Sequence, residues 1–461
     1  MRYPVELSPR EDRLQSLDVL RGVAVLGILV MNIYAFAMPW AAYANPLAMG
    51  GTGPLDLGTW FLTHLLFDQK FMSIFSMLFG AGVAMMVSRC EAKGADAAPL
   101  FFRRQGWLFV IGMLHAYLLW FGDILVFYAV VGTLTWLFRH QPAHRLLMIA
   151  MVVLPVAPLL ANVGGIYLEE LKTEAEAIQR QLADGEPISE EQQQTLDEWL
   201  EQRIAIAPTE AEIQEDVAAY RSDYRTIFEH RAPFVTSVHV SGILYFGLWR
   251  IGGLMLIGMA LYKLGTFTPD CPAGVYRRFM IAGYGVGLPL CLLSGINLQA
   301  HDFDPLYTFR AGGFPNYVGS IFVAFGHLGV VLAALRRGWL PRFKARLAAV
   351  GRMALSNYLL QSLVMTTIFY GYGLGLYAEV GRTGQMLFVA GLGALQLWVS
   401  ALWLKGFRFG PAEWLWRSLS YCAAADAALK TARSGPNGAR NSRFGVYTLP
   451  FASDAWAKHR Q

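Results

Sequence analysis

An all-α, polytopic membrane bundle of about ten transmembrane helices, with a small helical insertion on one side, is the fold class this sequence predicts. Three observations predict it. Of 461 residues, 55% are apolar and only 15% charged, where a soluble chain carries about 25% charge. The apolar residues fall in runs of about 20, the length that crosses a bilayer. Lys and Arg concentrate in alternate connections, as they do on the cytoplasmic side of membrane proteins.

The spans follow in order. The first, 17–37, is long, carries a charge pair and has no convincing small-residue cleavage site, so it reads as a retained anchor rather than a signal peptide. The second, 69–88, follows a re-entrant lead-in at 57–68. Spans 104–121 and 123–139 meet at a tight turn around Asp123. Span 144–167 closes the N-terminal membrane bundle, residues 1–167. Residues 168–232 break the pattern, with seventeen Asp and Glu against six Lys and Arg. This acidic stretch reads as amphipathic helices, Glu169 to Leu182 and Ser189 to Ile204, in a periplasmic cap or lid. The C-terminal bundle, 233–422, holds spans 239–262, 276–296, 314–336, 350–376 and 383–404. A disordered cytoplasmic tail is expected over 423–461, where Ser434-Gly435-Pro436-Asn437-Gly438 breaks regular structure.

Orientation rests on Arg89, Lys93, Arg103 and Arg104 after span two, Arg139 and Arg145 after span four, and Arg336, Arg337, Arg342, Lys344 and Arg346 after span eight. The connection 38–56 has no Lys or Arg. Both termini are therefore expected in the cytoplasm. Topology explains the basic face without a nucleic-acid partner. Cys90, Cys271 and Cys422 fall on that side and Cys291 within span seven; no CxxC spacing supports a disulfide framework or a metal site.

Ionisable groups in lipid mark function by default. Asp18, Arg21 and Asn32 share one face of the first span, reaching about 16 Å into the bilayer at 1.5 Å per residue. Arg104 and His115 share one face of span three, with Asp123 just beyond. His64 and Asp68 sit one turn apart. A histidine oriented by a carboxylate is a general-base arrangement, so His115, His64, Asp68 and Asp123 are catalytic candidates, against the alternative of hydrogen-bonded structural histidines. Lys70 reads as snorkelling to the interface. Arg250, mid-span, calls for a carboxylate or a bound anion. Asn357 and Gln361 need partners in span nine, after Gly351-Arg352. Glu413, Trp414 and Trp416 read as an interfacial amphipathic helix. No Walker loop, HExxH or GxSxG is present.

Leu17-Asp18-Val19-Leu20-Arg21-Gly22 with Asn32, Phe67-Asp68-Gln69-Lys70-Phe71, Phe75 to Gly80, His115 with Gly122-Asp123-Ile124-Leu125, Gly351 to Tyr358 and Gly410-Pro411-Ala412-Glu413-Trp414 resemble the YeiB-like bacterial inner-membrane proteins. The match covers most of 10–422, and its C-terminal half resembles that family's domain of unknown function. The family is distantly similar to the transmembrane acyltransferase superfamily, whose sugar-modifying branch has a histidine where this chain has Asn32. The resemblance implies an inner-membrane location and an acyl-CoA co-substrate bound from the cytoplasm by Arg21, Arg104 and Arg352. It implies no resident cofactor. His115 or His64 would be the base, Asn32 would polarise the carbonyl, and the acceptor would be a small envelope molecule. A secondary transporter for a small anionic solute, with Arg250, Arg21 and the histidines as binding and proton-relay groups, stands as the other reading; Asp18, Arg250, Asn357 and Gln361 are also substrate- or donor-binding candidates. Membrane lipids are expected partners, and a homo-oligomer is compatible with both.

Overall fold

The computed structural model describes residues 15–51 and 53–421. The tail after 422 and its Cys422 lie outside them. The described residues form helices and no strands. Apart from two short pieces, Trp40–Ala44 and 305–312, they are α1 (Gln15–Ala37), α2 (Pro54–Leu66), α3 (Lys70–Ala92), α4 (Ala98–Leu118), α5 (Leu125–Phe138), α6 (Ala143–Ala183), α7 (Glu190–Ile206), α8 (Glu210–Tyr220), α9 (Tyr224–Lys263), α10 (Ala273–Ala300), α11 (Phe314–Arg336), α12 (Pro341–Arg352), α13 (Ala354–Phe369), α14 (Arg382–Gly406) and α15 (411–421).

Seven stretches are long and apolar enough to cross a membrane: α1, α2 with α3, α6, α9, α10, α11 and α14. The chain is thus a polytopic helical bundle. The other three expected spans are occupied by α4, which carries Arg103 and Arg104, by the shorter apolar helix α5, and by α13. The expected span 350–376 is divided. Met353 leaves the helical region between α12 and α13, and Tyr370 turns extended after Phe369. The lead-in at 57–68 is the helix α2, set off from α3 by Gln69 in the left-handed region at φ 64°.

α1 and α9 are central, each with 67% of its apolar window buried, whereas α6 and α14, at 17%, leave most of theirs on the outside of the bundle. α1 packs on α12 at close range: a Cβ on Gly351 would stand 1.8 Å from the Asp18 carbonyl oxygen, and one on Gly22 2.1 Å from that of Leu347. Glycine at both positions is what lets the two backbones touch. The acidic insertion is helical where its polar faces suggest. α6 runs on from the membrane to Ala183, and α7 and α8 each start in a capping box, Ser189 with Gln192 and Thr209 with Glu212, which satisfies two free backbone donors reciprocally.

Candidate functional site

Two enclosed polar clusters hold His115 with Asp123, and His64 with Asp68, Lys70 and Arg250. The first forms where α4 ends. Trp120 folds back against Phe36, with ring centroids 4.0 Å apart, and donates to the Ala35 carbonyl at 3.3 Å. The next turn must pass over that indole; a Cβ on Gly122 would lie 2.2 Å from it. The turn delivers Asp123 beneath His115. His115 Nδ1 lies 2.9 Å from Asp123 Oδ1, and Asp123 Oδ2 accepts from the Val126 N–H at 2.7 Å, capping α5. The other ring nitrogen, Nε2, lies 2.8 Å from Ser362 Oγ on α13. A carboxylate only accepts, so Nδ1 carries a proton. In the neutral ring Nε2 therefore accepts from the Ser362 hydroxyl. All three residues are buried. The expected pair His115–Asp123 is present, and Ser362 completes a hydroxyl–imidazole–carboxylate relay that the sequence did not single out.

Tyr358 packs against His115 at 5.1 Å between centroids and donates to the Gly122 carbonyl at 3.0 Å. It also belongs to an apolar cluster in which Met72, Phe75, Phe79, Leu355, Leu359 and Trp416 keep partial exposure. Arg104 closes the far end of that cluster, its guanidinium 4.1 Å from the Trp416 ring. Arg104 and His115 thus sit at opposite ends of one apolar seam, about 16 Å apart along α4 at 1.5 Å per residue. On α1, Asp18 is buried and pairs with Arg21 at 3.2 Å. Arg21 reaches toward Gly82, one turn beyond Phe79 on α3. Arg21, Ile28 and Asn32 fall on one face and retain partial exposure, while Val25 and Leu29 between them are buried. Asn32 has no side-chain hydrogen bond recorded among the described residues and is not brought to His115 by one.

The second cluster lies around the α2–α3 junction. His64 Nδ1 is 3.5 Å from Asp68 Oδ2, and Trp60 stacks on the His64 ring at 4.9 Å. Asp68 accepts from Asn316 Nδ2 at 2.6 Å. Lys70 does not snorkel. It is fully buried, and its ammonium donates to the His64 carbonyl at 2.6 Å and to Asn316 Oδ1 at 2.8 Å. Gln69, in its left-handed turn, is what aims Lys70 inward. Arg250 lies in a π-helical stretch, Ile243–Ile251, a local widening common at functional sites. Its partners are not the carboxylate its burial called for. It donates to the Tyr317 carbonyl at 3.0 Å and to Ser320 and Ser73 Oγ at 2.7 and 3.1 Å, and it lies 4.4 Å from the Tyr317 ring. Asp68 and Cys291 are close enough to act on it through space.

The remaining candidates have local partners. Asn357 donates to the Val350 carbonyl and to Ser400 Oγ, and Gln361 to the Val25 carbonyl and to Gln396 Oε1. These amides tie α13 to α14, α1 and α12 rather than facing a shared chamber with His115. Arg352 donates to the Arg408 carbonyl at 3.2 Å. Glu413 accepts from the Leu355 and Ser356 N–H groups, so α15 docks by capping α13. The sequence therefore pointed to the titratable members of each cluster and missed Ser362, Asn316, Ser73 and Ser320. Hydroxyls and amides are ordinary on apolar helices, and nothing local distinguishes these four.

The geometry defines a polytopic all-α membrane protein with two separate buried polar clusters around His115 and Lys70. The profile of the family described as "Protein of unknown function (DUF418)" matches residues 261–423. The chain is 34% identical over 92% of its length to the whole of the uncharacterized protein YeiB of Escherichia coli (strain K12). It is 29% identical over 91% of its length to 97% of the uncharacterized protein YxaH of Bacillus subtilis (strain 168). It belongs to the YeiB family. No solved structure matches it.

Proposed function

We propose that this protein is a membrane-embedded acyltransferase of the bacterial inner membrane, with its basic face and both termini in the cytoplasm. The Asp123–His115–Ser362 relay carries the reading, because it is a nucleophile, base and orienting group in bonding order. An acyl-CoA-type donor approaches from the basic face, its phosphates against Arg21, Arg104 and Arg352, whose planar forks match phosphate oxygens. Its acyl chain follows the seam of Phe75, Phe79, Leu355 and Leu359 toward Tyr358. Ser362 is enclosed, so the seam parts for the donor to enter.

Ser362 Oγ then attacks the thioester carbonyl while His115 Nε2 takes the hydroxyl proton and Asp123 stabilises the imidazolium. The C–S bond breaks, and the thiolate leaves with that proton. An acceptor hydroxyl or amine on a periplasmic or envelope molecule gives its proton to His115 and takes the acyl group from the Ser362 ester; the proton returns to Oγ.

The test is incubation of the protein, reconstituted in vesicles, with a panel of labelled acyl-CoA thioesters. A labelled ester on Ser362, absent in Ser362→Ala, is expected. No binding or turnover of any donor, together with tolerance of Ser362→Ala and Arg21→Ala in cells, overturns the proposal. Proton- or sodium-driven uptake of an anionic solute by the same vesicles would put a transporter in its place.

A further inference from the structure

A cleft of about 270 Å³ opens between α2 and α10, remote in function from the relay and unused by the acyl-transfer reading. Phe61, Leu62, Leu65 and Leu292 form its walls, with His64 and Cys291. Leu62 and Leu292 are exposed on helices of membrane-spanning character, so the mouth faces hydrocarbon rather than water. His64 is 7% exposed, and its Nε2 is buried with no hydrogen-bond partner among the described residues. The Cδ2 edge next to that nitrogen faces Gly295, one turn from Cys291. Behind this edge stand two buried cations, Lys70 and Arg250, with a single carboxylate, Asp68, near them; Cys291 is within electrostatic reach of all three.

We infer that this cleft binds the carboxylate end of a single-chain lipid, a long-chain fatty acid drawn from the bilayer. An apolar wall open to lipid accepts a chain. With Nδ1 turned to Asp68, the unpartnered Nε2 accepts the proton of an incoming acid and then donates to the carboxylate, with the Cys291 thiol lining the same cleft. The surplus buried positive charge calls for an anion. The depth favours a carboxylic acid over a phosphodiester. His64 lies ten residues into α2, about 15 Å along the helix. A carboxylic acid crosses hydrocarbon neutral and gives its proton to His64 Nε2, leaving a carboxylate paired with the imidazolium beside the buried cations, whereas a phosphodiester head group stays charged throughout. Asp68 Oδ2 stands 3.5 Å from Nδ1, which leaves Nε2 as the atom that meets the ligand.

The full-length protein with Cys90, Cys271 and Cys422 replaced by Ser, in phosphatidylcholine vesicles, provides the assay. Labelling of Cys291 by membrane-permeant N-ethylmaleimide is followed by intact mass, with palmitate, hexadecanol or lysophosphatidylcholine added. Palmitate at ten times its Kd is expected to slow labelling about tenfold, by mass action alone, while hexadecanol leaves the rate unchanged. Leu292→Trp, at a lipid-exposed position that leaves the fold intact, should abolish protection by filling the mouth. Equal protection by acid and alcohol, protection that survives Leu292→Trp, or stronger protection by lysophosphatidylcholine overturns the inference. If enclosure makes Cys291 inert to the reagent, equilibrium binding of radiolabelled palmitate to wild type and Leu292→Trp decides, and equal binding overturns it. No thioester is present in either measurement, so loss of the acyl-transfer reading leaves the result untouched.

Discussion

Asp123→Asn separates a catalytic relay from a structural histidine. Asp123 accepts two hydrogen bonds, from His115 Nδ1 and from the Val126 N–H, with one carboxylate oxygen each. An asparagine has one acceptor oxygen. If that oxygen keeps the cap on α5, the amide NH2 faces His115 Nδ1, and two donors cannot meet. The ring then moves its proton to Nε2, where it donates to Ser362 and no longer accepts from it. The loss of one bond to a charged acceptor costs roughly 1.5–3 kcal/mol, which a bundle of this size survives. The chemistry is hit harder, because a base with its proton on the wrong nitrogen loses on the order of 10⁴ in rate, the figure established for the same substitution in serine proteases.

The assay pairs thermal unfolding in detergent with acylation of Ser362 by the best donor of the panel. A folded variant with near-complete loss of acylation is expected. Ser362→Ala should give the same loss with less destabilisation. A folded Asp123→Asn protein that keeps more than about a tenth of the acylation rate refutes the relay, because that tautomer cannot deprotonate Ser362.

Asp68→Asn should destabilise more than Lys70→Met in the same unfolding assay. The first leaves Lys70 and Arg250 without a carboxylate, at about 3–5 kcal/mol for an uncompensated buried charge, whereas the second leaves one cation facing one anion. Glu413→Gln should release α15 from α13 and lose about 0.5–2 kcal/mol of capping, read as faster proteolysis near residue 410. Gly351→Ala sets a methyl group 1.8 Å from the Asp18 carbonyl oxygen and should cost about 1–3 kcal/mol or more as α1 and α12 move apart, read as a lower Tm. In the insertion, the Arg203 guanidinium and the Thr209 N–H hold the Glu212 carboxyl down at about 2, below its ordinary 4.5. Its stabilisation is therefore complete above about pH 4.5 and lost as pH falls through about 2. Glu212→Gln should flatten that acid limb in a circular-dichroism titration, by a small amount because the pair is close to solvent.

How far the sequence could be read depended on the kind of signal each residue carried. Apolar run length predicted α1, α3, α6, α9, α10, α11 and α14, because hydrocarbon imposes both the length and the composition. It failed at 350–376. There the helix ends at Met353 so that Glu413, 58 residues after Leu355, can cap the next one. A cap supplied from so far along the chain leaves no local trace. The pair His115–Asp123 was legible because a histidine and a carboxylate in an apolar setting are conspicuous and a turn must join them. Ser362 was not, since a lone serine on a transmembrane helix most often bonds its own backbone. Lys70 was misjudged from its place near a helix end, where snorkelling is the usual outcome. What overrides that outcome is the φ 64° turn at Gln69 and the amide of Asn316, which is 246 residues away.

α3 explains why these polar residues form two clusters instead of one chamber. Lys70, Ser73 and Ser76 step around it three residues at a time, so each is rotated about 60° from the last. Lys70 and Ser73 face Asn316 and Arg250, while Ser76 meets the Tyr128 hydroxyl at 3.0 Å. Tyr128 packs in the same apolar cluster as Tyr358, beside His115. The helix therefore stands between the cation cluster and the apolar seam beside the relay, and touches both. Close packing holds it there, since a Cβ on Gly80 would lie 2.0 Å from the Met255 carbonyl oxygen of α9. A helix gripped that tightly moves as a rigid rod or not at all. One rigid helix thus carries Lys70 and Ser73 in the cation cluster and Phe75 and Phe79 in the seam, and fixes the two sites relative to each other.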